Sequence, residues 1–193
     1  MFNPSFNTVL DAWSKSASPE ATQRAEQILS RMHQHFESGE VDTKPSVVSY
    51  AIVITCLAKS RPQEAADRAE AILREMQDRY KAGDEVLKPD VISYNSVILA
   101  WSRSRQWGSK AMAESLLNEM LSLAEAGDKR CVPDARSYNN VLSAIAASGL
   151  PDDAYRAAKI IKTMKENGIT PDQFTRRAME KFTQGIGQSR GSR

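Results

Sequence analysis

An aromatic residue recurs every 44 residues in this chain, as Phe6, Tyr50, Tyr94 and Tyr138. A long pattern at fixed spacing limits the fold more than composition does, because each copy must bury its apolar face against the next. The residues after the aromatic keep register. Three positions on stand Val9, Val53, Val97 and Val141; four on, Leu10, Ile54, Ile98 and Leu142; seven on, Trp13, Leu57, Trp101 and Ile145. Apolar residues at i, i+3, i+4 and i+7 form one face of an α-helix. Among them Ala12, Cys56, Ala100 and Ala144 stay small, as close helix–helix approach requires.

A second helix follows in each period. Ala25, Ala69, Ala113 and Ala157 align, as do Ile28, Ile72, Leu116 and Ile160. So do Leu29, Leu73, Leu117 and Ile161, and then Met32, Met76, Met120 and Met164, which read as core filler. Gly39, Gly83 and Gly127 lie seven residues past the methionine, where a helix C-terminal glycine is expected, and Pro45, Pro89 and Pro133 open the next period. The fourth copy is shorter, with Gly168 and Pro171 close behind Met164. The pattern predicts an all-α chain: an α-solenoid of four helix–turn–helix units with a right-handed superhelical twist. Its units are 3–46, 47–90, 91–134 and 135–172, with an extra helix at 173–182, so one array spans 3–182. The polar, glycine-containing tail 183–193 reads as disordered. Only Met1 and Phe2 precede the first unit, so the chain reads as a segment of a longer array with any targeting sequence outside it.

Bulk properties exclude more than they assign. Hydrophobic residues are 41% and charged residues 26%, which suits a folded, non-membrane chain. No apolar run approaches the ~20 residues of a membrane span. A net charge of +2 neither demands nor excludes nucleic acid, so such a reading must rest on where the charges sit. Cys56 and Cys131 are too few for a disulfide framework or a four-cysteine zinc site and read as reduced thiols. His33 and His35 in "MHQHF" do not share a helix face and read as solvent-exposed, so no metal is expected. The acidic loops "ESGEVD" and "AGDE" read as solvated edges. No phosphate-binding loop, metalloprotease motif or nucleophilic triad is present, and neither catalysis nor a cofactor is expected.

The helix pair, the Pro-Asp junction and the aromatic followed by Asn resemble the pentatricopeptide repeat. "PDVISYNSVILAWSRS" and "AESLLNEM" are similar to that family's two helices, and "KENGITPD" to its junction. The tetratricopeptide repeat fits less well, because its Trp, Leu-Gly and Tyr markers are not in register here. Three copies are longer than the family's usual unit, with the excess around the second helix. The resemblance implies a single-stranded RNA-binding module that reads one base per unit. It also implies an organellar setting, mitochondrion or chloroplast, within an RNA-processing or RNA-stability factor that has protein partners. A protein-binding solenoid with a peptide in its groove is the alternative.

The residue after the aromatic is Asn7, Ala51, Asn95 and Asn139, on a mostly small or polar stripe distinct from the core face. Asn carries a donor and an acceptor, which suits a base edge. After each junction proline, or at its place, come Ser46, Asp90, Asp134 and Asp172, which are also good helix N-caps. The resemblance couples Asn7 with Ser46, Ala51 with Asp90, Asn95 with Asp134, and Asn139 with Asp172. It implies a strand read as C or U, an undefined base, U and U, running 5′ to 3′ from N- to C-terminus. It also implies that Val48, Ile92, Arg136 and Pro4 stack on bases. Lys15, Lys59 and Arg103 recur nine residues after the aromatic, where they could contact phosphates or the C-terminal dipole of their helix. Arg61 and Arg105 could add to them.

Overall fold

A computed structural model describes residues 5–60, 64–104, 106–148 and 153–188. Every regular element among them is helical, with no strand. The helices are α1 (Phe6–Lys15), α2 (Ala21–Glu37), α3 (Val47–Lys59), α4 (Ala65–Lys81), α5 (Val91–Arg103), α6 (Ser109–Glu125), α7 (Ala135–Ser148), α8 (Asp153–Glu166) and α9 (Gln173–Gln188). None is long and apolar enough to cross a membrane. α9 runs to Gln188, past the expected end at 182, so 183–188 is helical where a disordered tail was expected. Each residue added to an existing helix gains a hydrogen bond without a new nucleus, which carries the helix on. Residues 189–193, Pro4, Arg61 and Arg105 lie outside the described residues.

The helices form two layers. α1, α3, α5, α7 and α9 pack against one another in succession, and each of α2, α4, α6 and α8 sits against the odd-numbered helix on either side. The even helices meet each other mainly through long side chains. Arg68 pairs with Glu26, Arg74 with Glu119 (2.8 Å) and Arg156 with Glu114 (2.8 Å). The core is the set that the periodicity selects: Tyr50, Tyr94, Tyr138, Leu73, Met76, Leu117 and Met120 are all at most 1% exposed. α1 has an odd-layer neighbour on one side only, so Phe6 and Trp13 stay half-buried and Ala12 is exposed.

The predicted glycine stops close the helices. Gly83 takes φ 103°, and its N–H and that of Asp84 return to the carbonyls of Tyr80 and Arg79. This left-handed closure is open to glycine at little cost, and it repeats at Gly39, Gly127 and Gly168. The extra loop residues then form short 3₁₀ turns at Val41–Thr43, Glu85–Leu87 and Lys129–Cys131. They are not merely solvated edges. Thr43, Leu87 and Cys131 are buried beneath them. Lys44 reaches Asp84 (2.9 Å) and Lys88 reaches Asp128 (3.0 Å), which ties each loop to the next. The same two ammonium groups lie 5.4 Å from the Phe36 and Tyr80 ring centres. Both cysteines are buried and free.

The tyrosine hydroxyls link the layers. Tyr50 Oη donates to Glu75 (2.9 Å) and lies 2.8 Å from His33 Nε2. One period on, Tyr94 Oη donates to Glu119 (2.8 Å) and accepts from Gln77 Nε2 (2.8 Å). His33 is therefore not the solvent-exposed residue expected; it turns inward onto Tyr50, with 16% of its side chain exposed. Burial and then the Arg79 guanidinium lower its pKa below the ordinary 6.5, against the opposing pull of Glu75, Glu37 and Asp84. Below about pH 6.5 the unfolded chain binds this proton more readily than the folded one. The stability from neutral His33 is thus complete above that pH and is lost as pH falls through the lower folded value. His33→Gln, the residue type at the matching position 77, should flatten that loss. Urea midpoints of both proteins at pH 7.5 and 5.5 measure it, and parallel declines would reject it.

Candidate nucleic-acid interface

The helix-start residues recur as capping boxes. Ser93 N–H and Oγ donate to Asp90 Oδ1 (2.9 and 2.8 Å), and Ser137 N–H and Oγ donate to Asp134 Oδ1 (2.9 and 3.1 Å). Thr175 N–H and Oγ1 make the same bonds to Asp172 Oδ1 (2.8 and 3.0 Å). In α3 the box is looser, with the Ser46 N–H donating to Ser49 Oγ at 3.2 Å. Ser49, Ser93, Ser137 and Thr175 are all fully buried. These bonds, and the one from Asn139, hold the Asp172 carboxyl below its ordinary pKa. Capping therefore accounts for the acids at 90, 134 and 172 in the free protein.

The expected couples meet where chemistry allows. Asn95 Nδ2 donates to Asp134 Oδ1 at 3.0 Å, and Asn139 Nδ2 donates to Asp172 Oδ2 at 2.8 Å. Asn7 meets Ser46 only through Ser49, whose Oγ donates to Asn7 Oδ1 (2.7 Å) and lies 3.4 Å from Ser46 Oγ. Ala51 has no side-chain group to bond Asp90. The two Asn–Asp couples differ in one respect. The single proton of Thr175 Oγ1 is shared between Asn139 Oδ1 (2.8 Å) and Asp172 Oδ1 (3.0 Å), whereas Ser137 Oγ bonds Asp134 and Asn95 Oδ1 is buried without a donor. Such an orphan acceptor is expensive unless something supplies a donor.

Not all of the expected stripe is open surface. Ala51, Ala58, Asn95 and Ser14 are buried in the seams between odd helices, and Thr55 bonds Ser96 across one seam at 3.0 Å. The outward face is rotated by about one residue. It carries Val48, Ile52, Thr55 and Lys59 on α3, Ile92, Leu99 and Arg103 on α5, and Arg136, Ser143 and Ala147 on α7. The expected stacking residues do stand out: Val48 is 53% and Ile92 57% exposed, and Arg136 is exposed. Phe174, 49% exposed, occupies the same place in α9, two residues after its helix-start acid. Register at that distance from Ser46, Asp90 and Asp134 could have found it.

The cations have structural partners. Lys59 Nζ donates to the Ser14 carbonyl (3.0 Å) and Arg103 Nη1 to the Ala58 carbonyl (3.0 Å), so each satisfies the end of the preceding odd helix. Lys15 instead pairs with Asp11 within its own helix (2.6 Å). Lys59→Ala with Arg103→Ala should lower stability by about 1 kcal/mol in total. A urea midpoint identical to wild type would show that these contacts carry no energy. No protein-family model matches the chain, and no curated protein matches it.

Proposed function

We propose that the chain is a non-catalytic, single-stranded RNA-binding α-solenoid of four units, wound as a right-handed superhelix, each unit meeting about one base. The observation that carries this reading is the pair of couples Asn95–Asp134 and Asn139–Asp172. Each joins successive odd helices and lies in register with the exposed Ile92 and Arg136. Closer packing in the odd layer than in the even one favours curvature with the odd helices inside, so the couples would line a groove. The resemblance implies U for an Asn–Asp couple, so Asn95 with Asp134 would take U. Asn7 with Ser46 would take C or U, Ala51 with Asp90 leaves its base undefined, and Asn139 with Asp172 would take U. Val48, Ile92 and Arg136 would stack on bases. Arg103 has guanidinium donors left over from its carbonyl bond, and Lys15 and Lys59 are exposed, so all three would approach phosphates. By the resemblance, such a module serves RNA processing or stability in mitochondria or chloroplasts, alongside protein partners.

A second reading has one specific observation behind it. Val48 and Ile92, with half-buried Ile52 and Leu99, give the same face an apolar character that an extended peptide would also match. The fully exposed Trp107 lies in the α5–α6 turn. Fluorescence anisotropy with labelled U-rich, C-rich and A-rich single strands and a duplex, at two salt concentrations, separates the readings. RNA reading expects pyrimidine preference, no duplex binding and micromolar or weaker affinity that falls with salt. Binding to none of the strands at high protein concentration rejects it.

A further inference from the structure

A cleft that the four couples leave unused lies between α7 and α9. It encloses about 450 Å³ and is lined by Ser143, Ala146 and Ala147 on one side and Phe174 and Arg177 on the other. Its origin is legible in the period. Where α5 carries Leu99 and Arg103, α7 carries Ser143 and Ala147, and the lost side-chain volume opens the seam. Asn139, Ser143 and Ala146 follow one another down a single face of α7, so the cleft begins beside the Asn139–Asp172 couple. Phe174 and Arg177 are three residues apart on α9 and share a face. Arg177 is exposed and makes no hydrogen bond or ion pair with any described residue. No carboxylate lines the cleft.

We propose that this cleft is a fifth nucleotide subsite, taking a guanine base on the 3′ side of the nucleotide at the Asn139–Asp172 couple. The inference rests on the RNA reading above. A half-exposed aromatic ring beside an apolar floor is a stacking surface for any base. The guanidinium selects among bases, because it presents a planar fork of donors and no acceptor. It therefore needs an edge with two adjacent acceptors, which guanine offers in O6 and N7. Adenine places an amino donor beside N7 and N1, uracil has no two adjacent acceptors, and cytosine, whose N3 and O2 are adjacent acceptors, offers a smaller ring to stack on Phe174. Arg177 stands where the preceding odd helices carry Asn or Ala, five residues after the helix-start residue, so the letter it favours differs from the pyrimidines of the earlier positions.

The test uses the full chain and fluorescein-labelled RNAs of equal length that contain 5′-CUUU followed by G, A, C, U or an abasic site. Wild type should bind the G strand about tenfold more tightly than the abasic strand. Phe174→Ala and Arg177→Ala alter exposed side chains, so both should stay folded by circular dichroism. Phe174→Ala should bind all five strands about as wild type binds the abasic one, Arg177→Ala should keep a gain over the abasic strand but lose the preference for G, and Phe174→Tyr should bind as wild type does. Equal affinity of wild type for all five strands, with Phe174→Ala unchanged, would overturn the fifth subsite and leave the RNA reading standing. Binding to none of the five would overturn both.

Discussion

Replacing Glu119 with alanine is expected to lower the free energy of unfolding by about 2 to 3 kcal/mol. Its carboxylate accepts from Tyr94 Oη (2.8 Å), Gln77 Nε2 (2.5 Å) and Arg74 Nη1 (2.8 Å), and so ties α4 and α5 to its own helix, α6. Burial pushes its pKa up, but bonds from Arg74, Tyr94 and Gln77 outweigh that and hold it below the ordinary 4.5. Alanine would leave a buried tyrosine hydroxyl, an amide and a guanidinium short of an acceptor. The same reasoning predicts the opposite sign one period later. Where Tyr94 has Gln77 and Glu119, Tyr138 has Leu121 and Thr163, and its buried hydroxyl has no acceptor among the described residues. The Asn167 amide beside it donates to the Thr163 carbonyl (2.9 Å). Tyr138→Phe should therefore be neutral or stabilise by up to about 1 kcal/mol, whereas Tyr94→Phe should cost about 1 to 2 kcal/mol. Urea denaturation of the three variants measures these differences. Equal losses for the two tyrosine changes would contradict the hydroxyl network as described.

The double change Asn95→Ala with Asn139→Ala should weaken binding to the U-rich strand about 100-fold and erase the preference between pyrimidines. That corresponds to about 1.4 kcal/mol for each lost couple. Little of the fold should be lost with it. Asp134 keeps the Ser137 N–H and hydroxyl, Asp172 keeps those of Thr175, and Asn95→Ala removes the orphan Oδ1 altogether. Anisotropy with U-, C- and A-rich strands, alongside a urea midpoint, gives both readouts. Unchanged affinity in a folded double variant would remove these asparagines from the base-reading role.

The helices, their glycine stops and nearly all of the core could be read from the sequence, because the period-44 register and the 3.6-residue periodicity agree at each copy. The lateral ladders could not. Lys44–Asp84 and Lys88–Asp128 span 40 residues and meet only once the loops stack. Likewise, a cation nine residues after an aromatic does not say whether it faces a phosphate or the Ser14 carbonyl; the neighbouring helix decides. The stripe carrying Ala51 and Asn95 looked distinct from the core because it lacks large apolar residues. Small residues are also what a tight helix seam selects, and that is where much of the stripe lies. Phe174 escaped because the last copy is shorter: Asp172 follows Asp134 by 38 residues, so a search at 44 lands elsewhere.

The capping boxes carry a consequence for how such a chain can diverge. At positions 46, 90, 134 and 172 either Ser or Asp begins a helix, because each offers an oxygen to the buried hydroxyl three residues on. Exchanging one for the other leaves the helix start intact while changing the group presented to whatever occupies the neighbouring couple. Folding exerts almost no selection between the two spellings. On the proposed RNA reading, a lineage would drift from one letter to another through single substitutions, with the helix starts kept.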